Sequence, residues 1–166
     1  MMKSEAAEQY FLQRCGQVLR EHYLPKIKEA VGLLAEDDLW AREGETSNSV
    51  GNLLLHLSGN VRQHIISGFG ERLDERTRPV EFSAKSGLSK DKLMAEFEKT
   101  ITEACNVLEV FPPEKLWDKR EIQNNEVVLF DDLLHVTEHF AYHTGQIIYI
   151  VKAIKQHRFG WYKHLD

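Results

Sequence analysis

Long apolar runs are missing from this 166-residue chain. None approaches the roughly 20 consecutive apolar residues that a membrane-crossing helix needs. The opening stretch MMKSEAAEQYFLQRCGQ also lacks the apolar run of a secretory signal, so the expected location is the cytoplasm, with no membrane partner. An excess of basic charge is missing too. Lys and Arg number 21 against 26 Asp and Glu, a net charge of −5, and they are scattered among the acids. Nucleic-acid binding normally needs a basic stripe, so no nucleic-acid partner is expected. Cysteine is scarce: Cys15 and Cys105 stand far apart and outside any CxxC pair. They cannot build a disulfide framework and are read as small buried apolar residues. There is no glycine-rich phosphate loop, and Ser47, Ser49 and Ser58 lack the context of a nucleophile elbow.

What is present is ordinary globular material, 42% hydrophobic and 28% charged residues. The length suits a single domain spanning residues 1–166. Four segments carry helical periodicity. The first runs from about Ser4 to Leu34, with Leu12, Gly16, Leu19, Tyr23, Ile27, Ala30 and Leu34 on one side. Pro25 interrupts it, so a kink or break is expected there. The second runs from about Ser49 to Phe69, with N-cap candidates in Thr46–Ser49. Its stripe is Val50, Leu53, Leu54, Leu57, Val61 and Ile65. Leu55 and Ile66 lie opposite, as expected for a central helix or one that meets another subunit. The third starts at Ser89 as N-cap and stops at Phe111-Pro112-Pro113; the fourth starts at Asp131 as N-cap and runs to about Ile154. Residues 70–88 read as a polar loop. Asn124-Asn125 is a turn candidate within a short hairpin that ends at Phe130. The expected fold is all-α, with four main helices.

Histidine is the unusual abundance, with eight in the chain. The fourth helix carries His135, His139 and His143, whose spacing of four places them along one side. At about 100° per residue with His139 at zero, Val136, His143, Ile147, Phe140, Leu133 and Val151 fall between about 40° and 120°. His139 stands at the near side of that arc and His135 about 40° beyond it, on the solvent flank. Geometry therefore favours His139 and His143 as an inward pair, able to hold a metal through neutral imidazoles. A third ligand must come from elsewhere. The second helix offers His56 and His64, and its helical wheel leans slightly to His64.

The stretch NSVGNLLLHLSGNVRQHI, followed downstream by EHFAYHTGQIIYI, resembles the DinB-like superfamily of metal-binding four-helix bundles, which includes the YfiT-like proteins. Asp38-Leu39-Trp40 and the charged loop from Asp74 to Phe82 extend the resemblance over nearly the whole chain. It implies an up-down-down-up four-helix bundle, often dimeric. It implies a divalent ion, commonly zinc or nickel, held by a histidine in the middle of the second helix and a His-x-x-x-His pair on the last. Those positions are His56, His139 and His143 here, so the resemblance selects His56 against the wheel. Some relatives are transferases that use low-molecular-weight thiols such as bacillithiol or mycothiol.

Three neutral ligands leave an ion its full charge and an open position, the pattern of a catalytic site. Such an ion lowers the pKa of a bound water or thiol. The expected function is thus a metal-dependent thiol S-transferase on a small-molecule substrate. The alternatives are a metal-dependent hydrolase with Glu138 or Asp132 as base, or a homodimer that holds metal without turnover. Asp132 is otherwise a helix-start residue and Glu138 a surface acid. Asn52 and Asn60, one turn either side of His56, can orient it. Tyr142 and Gln146 can touch a substrate, and Arg62 and Arg76 can bind an anion, although solvated charge is their commoner role. Trp40, Trp117 and Trp161 read as core. The aromatic, basic HRFGWYKHL near the C-terminus either caps the bundle or meets a partner.

Overall fold

The computed structural model describes residues 2–161 of the chain, with side chains from residue 5 onward. Helix α1 spans Met2–Gln17, passes into a π-helical stretch over Val18–Tyr23, and continues as α2 over Leu24–Gly32. Of the kink or break expected at Pro25, the break does not occur, and the irregularity takes the form of the π-helical stretch before it. Proline has no N–H to give to the carbonyl four residues back. The turn just before it is widened, and Leu24 N–H reaches Leu19 O, five residues back.

A short helix α3, Glu36–Leu39, leads to Trp40, whose indole lies over Gly51; a Cβ there would sit 2.7 Å from the ring. Helix α4, Val50–Val61, opens with a reciprocal cap: Asn52 N–H donates to Ser49 Oγ at 3.1 Å, and Ser49 N–H donates to Asn52 Oδ1 at 3.0 Å. A second π-helical stretch, Arg62–Phe69, extends α4 to the expected end.

The 70–88 segment is not all loop. It contains helix α5, Arg78–Ser83, with Pro79 in its first turn, where a missing N–H is harmless. Helix α6 runs Lys90–Val110. Ser89 occupies its N-cap position but gives no side-chain cap. The Glu36 carboxylate takes that role from α3, accepting from Lys90 N–H at 2.9 and 3.1 Å.

A 3₁₀ turn at Pro113–Trp117 precedes strands β1, Lys119–Ile122, and β2, Asn125–Val128, paired antiparallel with Ile122 opposite Asn125. The turn is one residue earlier than the sequence suggests. Gln123 and Asn124 take φ of 54° and 60°, the left-handed pair that a two-residue hairpin requires. Helix α7, Leu129–Lys155, follows β2 directly, so Val128 is its N-cap and Asp131 lies in its first turn. Leu129 N–H is held by Asp118 O at 3.0 Å.

Helix α6 packs against α1 and α4, and α7 packs against α2 and α4. Between them lies an apolar core that includes Leu12, Leu19, Ile27, Leu53, Phe97 and Phe140, all fully buried. Cys15 and Cys105 are buried free thiols within that core. Of the tryptophans read as core, Trp40 packs against it, whereas Trp117 is 57% exposed and stacks on Phe130. After α7 the chain turns back. Phe159 packs on the core and Trp161 Nε1–H donates to Glu29 Oε2, so this part of HRFGWYKHL covers the first helical segment. Its last residues, 162–165, lie outside the described ones. No helix among the described residues is long and apolar enough to cross a membrane.

Candidate metal centre

Helix α4 brings His56 to the face of α7 that carries His139 and His143. One ring nitrogen from each lies within 4.8 Å of the other two. His56 and His143 are buried, and His139 is half-buried. The rings meet edge to face, with centroids 5.0 Å apart for His56–His139, 4.9 Å for His56–His143 and 4.4 Å for His139–His143.

Hydrogen bonds on the far side of two rings set which nitrogen faces inward. His56 Nδ1–H donates to Glu81 Oε2 at 2.9 Å. His143 Nδ1–H donates to Gln146 Oε1 at 2.7 Å. Both Nε2 atoms then carry lone pairs, the orientation that a carboxylate or amide partner gives a metal-ligating histidine. His139 Nε2 lies 2.9 Å from His56 Nε2, so the faces converge.

Glu81 is held in turn by Arg76, whose Nε donates to Oε1 at 2.7 Å and Nη2 to Oε2 at 2.9 Å. The side chains of Arg76 and Glu81 are only 4% and 9% exposed. Burial alone would raise the Glu81 pKa, but the hydrogen bonds from His56 and Arg76 outweigh it and hold the carboxyl below its usual range. Arg76 Nη2 also lies 3.1 Å from His56 Nδ1. An ionised Glu81 can only accept, so the proton on Nδ1 belongs to His56 and the guanidinium is committed to the carboxylate. Gly59 makes room for this pair, since a Cβ would overlap Glu81 Oε1 and sit 2.9 Å from Arg76 Nε. Asn52 ties the same segment down, donating to the carbonyls of Glu81 and Ala84 at 2.8 Å each.

Burial, then the neighbouring His143, His56, His135 and Arg76, push His139 down to about 3. Burial also lowers His143, against the opposing Gln146 hydrogen bond. These two imidazoles are neutral near pH 7, as a ligand must be. Three such donors fit a divalent transition metal, and the set does not select among zinc, nickel, iron and copper.

The other candidates divide. His64, which the wheel favoured, is buried but stands apart: its Nδ1–H donates to Asp132 Oδ1 at 2.8 Å and its Nε2 lies 3.3 Å from Gln123 Nε2. His135 is exposed, beside His139 and His64 but outside the cluster. Asp132 lies in the first turn of α7, as a helix-start residue should, and is also engaged by His64, whereas Glu138 is exposed. Asn52 and Asn60 do not orient His56. The first caps α4, and the second is buried with Oδ1 unpartnered. Arg62 is a surface cation 3.9 Å from Glu103. Arg76 is buried rather than solvated, and Glu81 escaped the sequence reading altogether. The available signal was the isolated Arg78-Pro79-Val80-Glu81-Phe82 within a polar stretch, together with the need of a buried ligating histidine for an acceptor.

These features define a helical protein with a carboxylate-oriented cluster of three histidines. The chain belongs to the family described as "Protein of unknown function (DUF1572)", which it matches over residues 6–163. No curated protein and no solved structure matches it significantly.

Proposed function

We propose that the chain is a DinB-like, up-down-down-up four-helix bundle that binds one divalent metal ion, zinc or nickel, through His56, His139 and His143. Its activity on this reading is transfer of a low-molecular-weight thiol to a small electrophile. The observation that carries the metal assignment is the pairing of His56 Nδ1 with Glu81 and of His143 Nδ1 with Gln146, which leaves converging lone pairs on Nε2. The bound ion would supply Lewis acidity and lower the pKa of a thiol it holds. The protein's own part is to keep His139 and His143 neutral, fix the direction of the imidazoles and shelter the site. Asp132 is occupied by His64 and Glu138 is exposed, which favours thiol transfer over hydrolysis with either as base.

Metal content of untagged protein is the first test. About one equivalent in the wild type, lost in His56→Ala, His139→Ala and His143→Ala and kept in His64→Ala, is the expected result. Incubation of zinc- or nickel-loaded protein with bacillithiol, mycothiol or glutathione and 1-chloro-2,4-dinitrobenzene tests the reaction. Turnover absent above the His139→Ala variant with every thiol would leave a metal-holding protein without this activity, the state expected of the non-catalytic dimer.

A further inference from the structure

A cleft of about 630 Å³ lies between residues 41–48 and helix α7, within the range of about 300–1,000 Å³ typical of small-molecule sites. It shares two residues with the surroundings of the histidine cluster. Gln146 lines it while accepting from His143 Nδ1–H, and Tyr142 lines it with its ring edge-to-face with His143, centroids 5.1 Å apart.

Two features of this cleft have no structural explanation in the fold. Gly145 sits in the interior of α7, where glycine is disfavoured against alanine. No close packing demands it, because a Cβ at this position meets nothing within 4 Å. Its effect is to widen the cleft between Tyr142 and Tyr149. Arg42 is the second. Its Nη2 donates to the carbonyls of Phe82 and Ala84 at 2.8 Å each and its Nε is buried, out of a ligand's reach, so Nη1, which has no hydrogen-bond partner among the described residues, is the donor left for an anion. No carboxylate pairs with it within 4.0 Å among the described residues; the exposed neighbour Glu43 forms no ion pair with it. A partly buried guanidinium without a counter-charge is unfavourable unless an anion completes it. Along α7 from there, Tyr142 and Tyr149 are 64% and 72% exposed, and Ile150 and Ile154 extend the apolar wall.

We infer that this cleft binds a small organic acid, its carboxylate on Arg42 and its apolar or aromatic body along the Tyr142–Tyr149 wall over Gly145. The opposite end of the ligand is directed past Gln146 towards His143. This deepens the metal-centre reading and rests on it for the ligand's role as substrate; binding itself does not require the ion.

The test uses 4-phenylbutanoate, 4-phenylbutanol and 4-phenylbutylamine as probes on full-length protein, metal-free and zinc-loaded, with titration followed by ¹⁵N-resolved NMR. The acid is expected to bind at least about tenfold more tightly than the alcohol or the amine, as one charge-assisted pair worth about 1.5 kcal/mol implies. Shifts should centre on Gly145 and Tyr149. Gly145→Leu fills the cleft and should weaken the acid at least tenfold while zinc content stays at the wild-type value and thermal melting does not fall. Arg42→Gln should reduce the acid to the level of the alcohol, and Arg42→Lys should retain the preference. Equal binding of the three probes, or acid binding unchanged in Gly145→Leu, would overturn the inference. Acid binding in a protein that takes up no zinc would sink the metal reading and leave the cleft standing; zinc uptake without acid preference would do the reverse.

Discussion

His56 and His64 share one helical segment, both are buried, and each gives Nδ1 to a buried carboxylate: Glu81 at 2.9 Å, Asp132 at 2.8 Å. Their other nitrogens part company. His56 Nε2 faces His139, with His143 beside it, whereas His64 Nε2 has the Gln123 amide from the hairpin turn. The carboxylates differ as well. Both oxygens of Glu81 are satisfied by Arg76 and His56, while Asp132 Oδ2 is buried without a partner. A carboxylate on one ring nitrogen therefore fixes an imidazole without making it a ligand. What converges on the second nitrogen separates a cluster that could hold a metal ion from a structural tie that clamps α7 to the end of the α4 segment.

The largest effect that can break this contrast is metal loss. His56→Ala should abolish uptake and His64→Ala should leave it intact, as read by elemental analysis; equal loss in both would make the two histidines one site. Next come the carboxylates. Glu81→Gln keeps the shape but removes the charge that strengthens His56, and should weaken zinc about 10- to 100-fold, the usual cost of losing an outer partner. Asp132→Asn should leave zinc affinity unchanged in a competitive chelator titration. On stability the order reverses in interest. Asp132→Ala strips a buried imidazole of its acceptor and should cost about 2 kcal/mol in urea denaturation. A midpoint identical to wild type would show that the His64 tie holds nothing.

Acidification acts on the cluster through His139. The folded His139 pKa lies near 3, below the unfolded value of about 6.5. As pH falls through about 6.5 the unfolded chain takes up a proton that folded His139 refuses until about 3, so metal-free protein loses stability across that window. Thermal melts of the apo protein should show the decline, and His139→Gln should make it shallower. The smallest effect is expected from Gln123→Ala, which removes an exposed amide from His64 and should shift the melt by less than about 0.5 kcal/mol.

The helices were legible because burial follows period, as in Leu53, Leu57 and Val61 on α4 and Leu133, Val136 and Phe140 on α7. The same arc identified the inward side of His139 and His143. It could not separate His56 from His64, since α4 is buried on several sides and both histidines are inside; only the family resemblance favoured His56. Arg76 and Glu81 were beyond reach for a different reason. Each is a charged residue in a polar stretch, where composition predicts solvent. Their burial depends on Gly59 and Asn52, contacts from a helix earlier in the chain. The caps were partly legible: Ser89 holds the N-cap position of α6 but Glu36 supplies the side-chain bond, and the hairpin moves the start of α7 ahead of Asp131.

The two cysteines carry a practical consequence. Burial pushes the Cys105 thiol up to about 11 and raises Cys15 as well. Alkylating reagents need thiolate and access, and neither residue provides them in the folded protein. The native chain should therefore be slow to label with maleimide, and a single cysteine introduced at exposed Tyr149 should react first. A fluorophore attached there would sit at the cleft mouth and report occupancy without any need to delete the natural thiols.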